Sequence, residues 1–262
     1  MYDIHCHILP GIDDGPKNWD DSLELCRAMV DDGIEHAVAT PHLIDGVYEN
    51  TRPVVAQLTR ELVERLDQAS IPLSVLPGAE VDLASNYVSE FSPDLPLLGD
   101  RSAVLLEMPV AVIPQAMSEI IFNICSHGVI PILAHPERNE ILVSKPQLAT
   151  DWISSGAALQ LDGDSLLGVW GRQAERLGKE LLLKGQIHAM ASDAHSCKTR
   201  PPRLREAMAR ATALVGERAQ DLVSTGPQTL LAGRLPETDT QHDNTRTKTR
   251  RSGNFLTRLF RG

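Results

Sequence analysis

Nine side chains of metal-ligating type, His5, His7, Asp14, His42, Glu80, Glu107, His135, Asp193 and His195, are spread along the chain, most of them at the ends of apolar runs. A barrel of parallel strands brings all its carboxyl ends to one face, so ligands scattered in this way converge in space. His5 and His7 fall two apart in Met1-Tyr2-Asp3-Ile4-His5-Cys6-His7. On an extended segment they share one side and can grip one ion. By itself the pair is equally consistent with two satisfied histidines in a core strand. The runs at 38–42, 75–80, 104–107, 130–135 and 189–195 shift the balance, because each goes from apolar residues to a ligand type. Mixed imidazole and carboxylate donors suit Mn, Fe or Zn without choosing between them. The chain reads as a metal-dependent hydrolase.

The elements that must position these groups alternate in type. Residues 20–30 have helical spacing and stop at Gly33. A strand to His42 follows, then a helix over 53–68, a strand to Glu80 and a strand over 103–107. A helix over 114–126 precedes the strand ending at His135. A helix over 147–155 leads to a strand at 157–161, and a last long helix over 166–184 leads to the strand ending at Asp193. Repeated βα units with about seven strands imply a parallel barrel or open sheet.

A chain of 262 residues with 42% hydrophobic content is long enough for one large core. The apolar stretches are too short to span a bilayer, and no signal-like N-terminus is evident, so the expected compartment is the cytoplasm. Four cysteines without a C-x-x-C pair read as reduced thiols. Residues 236–262 carry six Lys/Arg against three acids, a net of +3; with −10 for the whole chain, the body carries −13. An acidic body argues against nucleic acid as a partner, since that affinity comes from phosphate neutralisation by Lys and Arg. The expected division is a folded domain over 1–235 and a disordered basic tail over 236–262. The spacing in Phe255-Leu256-Thr257-Arg258-Leu259-Phe260-Arg261 also suits a short amphipathic helix with weak membrane or partner contact.

His5-Cys6-His7, the loop Gly11-Ile12-Asp13-Asp14-Gly15-Pro16-Lys17, Thr40-Pro41-His42, Gly78-Ala79-Glu80, Ala134-His135-Pro136-Glu137-Arg138 and Ala191-Ser192-Asp193-Ala194-His195 with Arg200-Pro201-Pro202 resemble the PHP (polymerase and histidinol phosphatase) superfamily. Within it, the chain is most similar to the bacterial manganese-dependent protein-tyrosine phosphatases of the CpsB/CapC type. The resemblance covers about residues 1–232 and implies a distorted (β/α)7 TIM-like barrel with three metal ions, Mn2+ by expectation and Fe or Zn as alternatives. It implies a first metal on His5, His7, Glu80 and Asp193, and a second reached by Glu80 and bound by Glu107 and His135. The third would rest on Asp14, His42 and His195. Arg138 and Arg200 resemble the family's phosphate-binding arginines, and a guanidinium can take two phosphate oxygens at once. The implied substrate is phosphotyrosine on a tyrosine autokinase of capsule or exopolysaccharide production. A small-molecule phosphoesterase such as histidinol phosphatase shares the same metal logic. A silent phosphotyrosine-binding regulator would be marked by a lost ligand, and none is lost.

Two other patterns compete for the chemistry. Cys197 and Arg203 have the C-x5-R spacing of cysteine-dependent tyrosine phosphatases, but Pro201 and Pro202 lack the N–H groups that such a loop aims at phosphate. Asp162 and Asp164 form a D-x-D after an apolar strand and are read as loop or helix-cap residues. They follow Gln160, near which the family commonly carries an amide, and the added carboxylate bears either on substrate preference or on capping. Asp13 is expected to shape its loop. Trp19, Trp152 and Trp170 are expected to pack on helix faces, while His36, His127, His188 and His242 fall outside the ligand pattern.

Overall fold

The computed structural model describes residues 1–236 apart from Pro93, Asp100 and Arg101. The expected basic tail therefore lies outside the described residues, save for Pro236. Nine strand segments are present among those described: β1 (Tyr2–Cys6), β2 (His36–Ala39), β3 (His42–Leu43), β4 (Ser74–Pro77), β5 (Glu80–Asp82), β6 (Ala103–Glu107), β7 (Ile130–Ala134), β8 (Ala158–Asp162) and β9 (Ala189–Ala191). They form two parallel ladders, β1-β2-β4 and β3-β5-β6-β7-β8-β9.

β2 with β3, and β4 with β5, are each one stave broken in the middle. Pro41, which has no N–H to give a ladder, stands at the first break. Gly78 stands at the second, where a Cβ would lie 2.5 Å from Leu98 Cδ2 and 2.8 Å from Val38 Cγ1. The ladder is handed across the breaks by Thr40 N–H to Cys6 O (2.9 Å) and Glu80 N–H to Pro41 O (3.1 Å). Counting each broken stave once leaves seven. As a consequence His42 and Glu80 open β3 and β5, whereas the sequence pattern put them at strand ends.

The first and last staves close the barrel. Near the site, His7 N–H donates to Ala194 O (2.8 Å) and Asp193 N–H to His5 O (2.9 Å). At the other end the two strands diverge, and the segment before the helix Thr225–Leu231 is wedged between them: Tyr2 N–H donates to Val223 O and Met190 N–H to Leu222 O, both at 2.8 Å. The structure is a distorted (β/α)7 barrel. Its interior is filled by Ile4, Val38, Leu105, Ile132 and several alanines, and Leu230 plugs the wedged end.

A second, larger apolar layer lies between the strands and the surrounding helices, where Leu106, Leu133, Leu159 and Met190 face outward. The helix Trp19–Asp31 shows how this layer is specified. Asn18 caps it by accepting from Asp21 N, Asp20 and Asp21 suit the positive end of its dipole, and Ser22, Leu25, Cys26 and Met29 bury one face. The expected helix over 166–184 is instead two, Gly163–Leu166 and Arg172–Leu183. Gly168 (φ 84°) and Gly171 (φ 90°) take left-handed backbone between them, which side-chain-bearing residues adopt at a cost. Helices Glu140–Ser144, Leu204–Val215, Arg218–Asp221 and Thr225–Leu231, and the 3-10 turn Pro136–Arg138, are additions to the elements expected from sequence. No described helix is long and apolar enough to cross a membrane.

Candidate metal centre

All nine ligand-type residues gather where the strands end. His5 and His7 project from and just beyond β1, and Glu107 closes β6. His135 and Asp193 follow β7 and β9 in left-handed backbone, with φ of 33° and 52°. Such conformations cost of order 1–3 kcal/mol each for a non-glycine residue and persist where the surroundings over-determine them, commonly at functional sites. Here both sharp exits turn a ligand-type side chain back over the barrel mouth.

The donor atoms fall into four overlapping sets, each within 4.8 Å: His5, His7 and Asp193; His5, Glu80 and His135; His42, Glu80 and Glu107; and His7, Asp14, His42 and His195. Glu80 is the hub. Its Oε1 lies 2.8 Å from His135 Nε2, and its Oε2 lies 3.2, 3.4 and 3.1 Å from His5 Nε2, His7 Nε2 and His42 Nδ1. These sets divide the residues differently from the partition that the family resemblance implies. His7 belongs to two of them, and Glu107 approaches His42 Nδ1 (3.4 Å) and Glu80. His42 straddles two sets, with Nδ1 toward Glu80 and Nε2 toward Asp14 (3.5 Å).

This donor set fits divalent metal. Asp193 Oδ1 and His42 Nδ1 are buried and make no aligned hydrogen bond among the described residues, although His5 Nε2 lies 3.4 Å from the one and Glu80 Oε2 3.1 Å from the other, and such a buried polar atom is costly unless something else engages it. Imidazoles with carboxylates suit Mn, Fe and Zn.

Electrostatics agree. Burial drags the His7 and His42 rings toward neutrality, but the carboxylates around them win and raise both to about 9. Burial likewise works against the Glu80 and Asp193 carboxylates, yet the cationic and histidine neighbours hold both well below the usual carboxylate range. Asp14, half exposed, is lowered chiefly by its hydrogen bond to His195. The same carboxylates would favour a cation at this place.

Residues behind the ligands fix their rings. His7 Nδ1 donates to Asp13 Oδ2 (2.8 Å), and His5 Nδ1 to Gln160 Oε1 (2.9 Å), which turns both Nε2 atoms into the site. Asp13 also shapes its loop by accepting from Gly15 N–H (2.9 Å). Asp3, which the sequence reading does not single out, accepts from Ser192 N–H (3.1 Å) and Ser192 Oγ (2.5 Å) and so ties β1 to the turn carrying Asp193. Its signal was available: Asp3, His5 and His7 alternate onto one face.

Arg138 and Arg200 both donate to Asp193 Oδ2, at 2.7 and 2.5 Å. Arg138 also pairs with Asp162, and Arg200 Nη1 lies 2.9 Å from His195 Nε2. Asp162 caps the next helix by accepting from Asp164 N–H (2.9 Å), while Asp164 binds Arg203 through both oxygens (2.8 and 2.6 Å). Arg203 is therefore committed to a carboxylate, and burial raises the Cys197 thiol above its ordinary value, against thiolate chemistry. Trp152 is buried as expected of a packing residue. Trp170 is not: it is 41% exposed and lies 4.1 Å from the Arg138 guanidinium and 5.3 Å from that of Arg200. Of the remaining histidines, His36 stacks on Tyr2, His127 on Phe91, and His188 Nδ1 accepts from Leu159 N–H.

A family model described as capsular polysaccharide synthesis, CpsB/CapC, matches residues 1–232. The chain belongs to the CpsB/CapC family. Among CpsB/CapC relatives, the tyrosine-protein phosphatase YwqE of Bacillus subtilis is 38% identical over 209 residues, covering 79% of this chain and 82% of its own. The putative tyrosine-protein phosphatase CapC of Staphylococcus aureus is 31% identical over 207 residues, 79% of this chain and 81% of its own. A crystal structure from work on YwqE of Bacillus subtilis and CpsB of Streptococcus pneumoniae, described as unique metal-dependent tyrosine phosphatases, superposes with a TM-score of 0.86 at 34% identity. That match covers 91% of this chain and 97% of the other.

Proposed function

We propose that this chain is a metal-dependent protein-tyrosine phosphatase that acts on the phosphotyrosine of a tyrosine autokinase in capsule or exopolysaccharide synthesis. The observation that carries the reading is the meeting of the metal-ligand set and two arginines at one carboxylate, Asp193. We assign His5, His7, Asp14, His42, Glu80, Glu107, His135, Asp193 and His195 to three ions, Mn2+ by preference. When bound, divalent metal supplies Lewis-acid charge and a water acidic enough to act as nucleophile.

The chain's own residues do the rest. Arg138 and Arg200 hold the phosphate, and their shared anchor on Asp193 places them beside the ligand cluster. Asp13 and Gln160 keep the His7 and His5 rings turned inward. Phenolate, with a parent pKa of about 10, is a good enough leaving group to depart without a strong protein acid. The four free thiols, Cys6, Cys26, Cys125 and Cys197, support work in the reducing cytoplasm.

The test is an assay of purified protein against a phosphotyrosine peptide and against histidinol phosphate, before and after metal removal and with Mn2+ restored. The expected result is Mn2+-dependent release of phosphate from the peptide, abolished in His135→Ala and Asp193→Ala along with part of the bound metal. Preference for histidinol phosphate would replace the proposed substrate, and full activity in either variant at unchanged metal content would remove the ligand assignment.

A further inference from the structure

A cleft of about 330 Å³ opens beside the metal-ligand cluster, at the small end of the range for ligand sites. It reaches the cluster at Glu107 and His135, and its walls include Met108, Val110, Val143 and Trp170. Two of these wall residues are unusually bare for their type, with Val110 60% and Trp170 41% exposed. Exposed apolar surface rimming a polar centre marks a contact surface.

Trp170 stands on a hydrogen-bonded turn. Its turn is closed by Val169 N–H to Asp164 O (3.0 Å) and Gly171 N–H to Gly168 O (3.1 Å). The indole sits over Arg138, which invites the simpler view that it only holds the arginines in place. That task is already done. Arg138 is anchored by Asp162 and Asp193, and Arg200 by Asp193 and His195. What those anchors leave to the indole is the surface it shows to the cleft.

We propose that Trp170 sets an aryl specificity: its indole, seated on Arg138, forms one wall of a slot that takes the phenyl ring of a phosphotyrosyl substrate while Arg138 and Arg200 take the phosphate. This deepens, and rests on, the phosphatase reading above. An alkyl phosphate reaches the same arginines but leaves the slot unfilled, whereas a phenyl ring gains an aromatic contact with the indole and buries apolar area against Val110.

The experiment uses the metal-loaded chain and two probes that differ only in the ring, phenylphosphonate and methylphosphonate, with binding measured by calorimetry and with kcat and KM for a phosphotyrosine peptide. Trp170→Ala is expected to weaken phenylphosphonate about tenfold and to raise KM by a similar factor. Methylphosphonate binding, kcat and metal content should move less than about twofold on the same scale. Trp170→Phe should restore most of the loss, and Val110→Asp, which puts a charge on another residue lining the cleft, should reproduce it. Equal effects on both phosphonates would make Trp170 a support for the arginines and overturn the proposal, as would no effect on either. A wild-type chain inert toward the peptide would instead overturn the phosphatase reading, and the phosphonate comparison would still decide the slot.

Discussion

Asp13 holds His7 by the ring nitrogen that faces away from the site, with Oδ2 2.8 Å from Nδ1, and so leaves His7 Nε2 turned toward Glu80 and Asp193 at 3.4 and 3.6 Å. Losing such a partner frees the ring and lowers its basicity, which typically weakens metal affinity about 10–100-fold. Asp13→Ala is expected to show that loss in a metal titration, and Asp13→Asn, which keeps an acceptor oxygen without its charge, a smaller one. Unchanged affinity in the alanine variant would reduce Asp13 to a brace for Gly15.

Arg138, from the 3-10 turn after β7, and Arg200, from the loop after β9, converge on Asp193. If they stabilise developing charge on the transferring phosphoryl group, either alanine variant should lose roughly a hundredfold in kcat with its metals retained. Lysine in either place should recover only part of the rate, since an ammonium has charge without the two-pronged geometry. Normal kcat/KM on a phosphotyrosine peptide in both alanine variants would make these arginines structural.

Cys197→Ser should keep most activity. Burial pushes the thiol up, away from thiolate, and Arg203, which would complete a cysteine-type phosphate loop, is clamped to Asp164. A total loss of turnover in folded, fully metallated Cys197→Ser protein would bring the thiolate mechanism back.

His188 lies away from the metal centre, buried and kept neutral, its pKa pushed down to about 4 by desolvation while its Nδ1 accepts from Leu159 N–H. Between that value and the ordinary 6.5, the unfolded chain binds a proton that the folded one refuses, so stability rises with pH across this window and is flat above it. The penalty fully developed below pH 4 is about 3 kcal/mol. Denaturant unfolding at pH 7 and pH 4.5 should show a smaller acid loss in His188→Asn, whose amide oxygen can still accept from Leu159. An unaltered acid slope would place the sensitivity in other groups.

Much of the candidate site was legible because function imposes a simple pattern, an apolar run ended by a ligand type, on strands that the fold then aligns. Residues 103–107 form the strand expected of them to the residue. The pattern fails where side-chain type says little about the path of the chain. Pro41 and Gly78 break two staves, so His42 and Glu80 begin segments they were expected to finish. The turn at Gly168 and Gly171 was hidden inside apparent helical spacing, and with it the exposure of Trp170, whose indole reads from sequence as one more packing surface. Gln160 acts through a partner far away in the chain, His5, and such a pair leaves no local trace.

The seam between β1 and the turn after β9 joins residues as far as 189 positions apart, and ligand-type side chains stand on both of its lips: His5 and His7 on one, Asp193 and His195 on the other. Opening the barrel and dismantling the metal centre are therefore a single event. A metal ion held by these residues would rivet the closure, and its binding energy would add to the stability of the whole barrel. Chelation should accordingly lower the melting temperature of the entire fold in one cooperative transition, with no separate, earlier loosening of the active face.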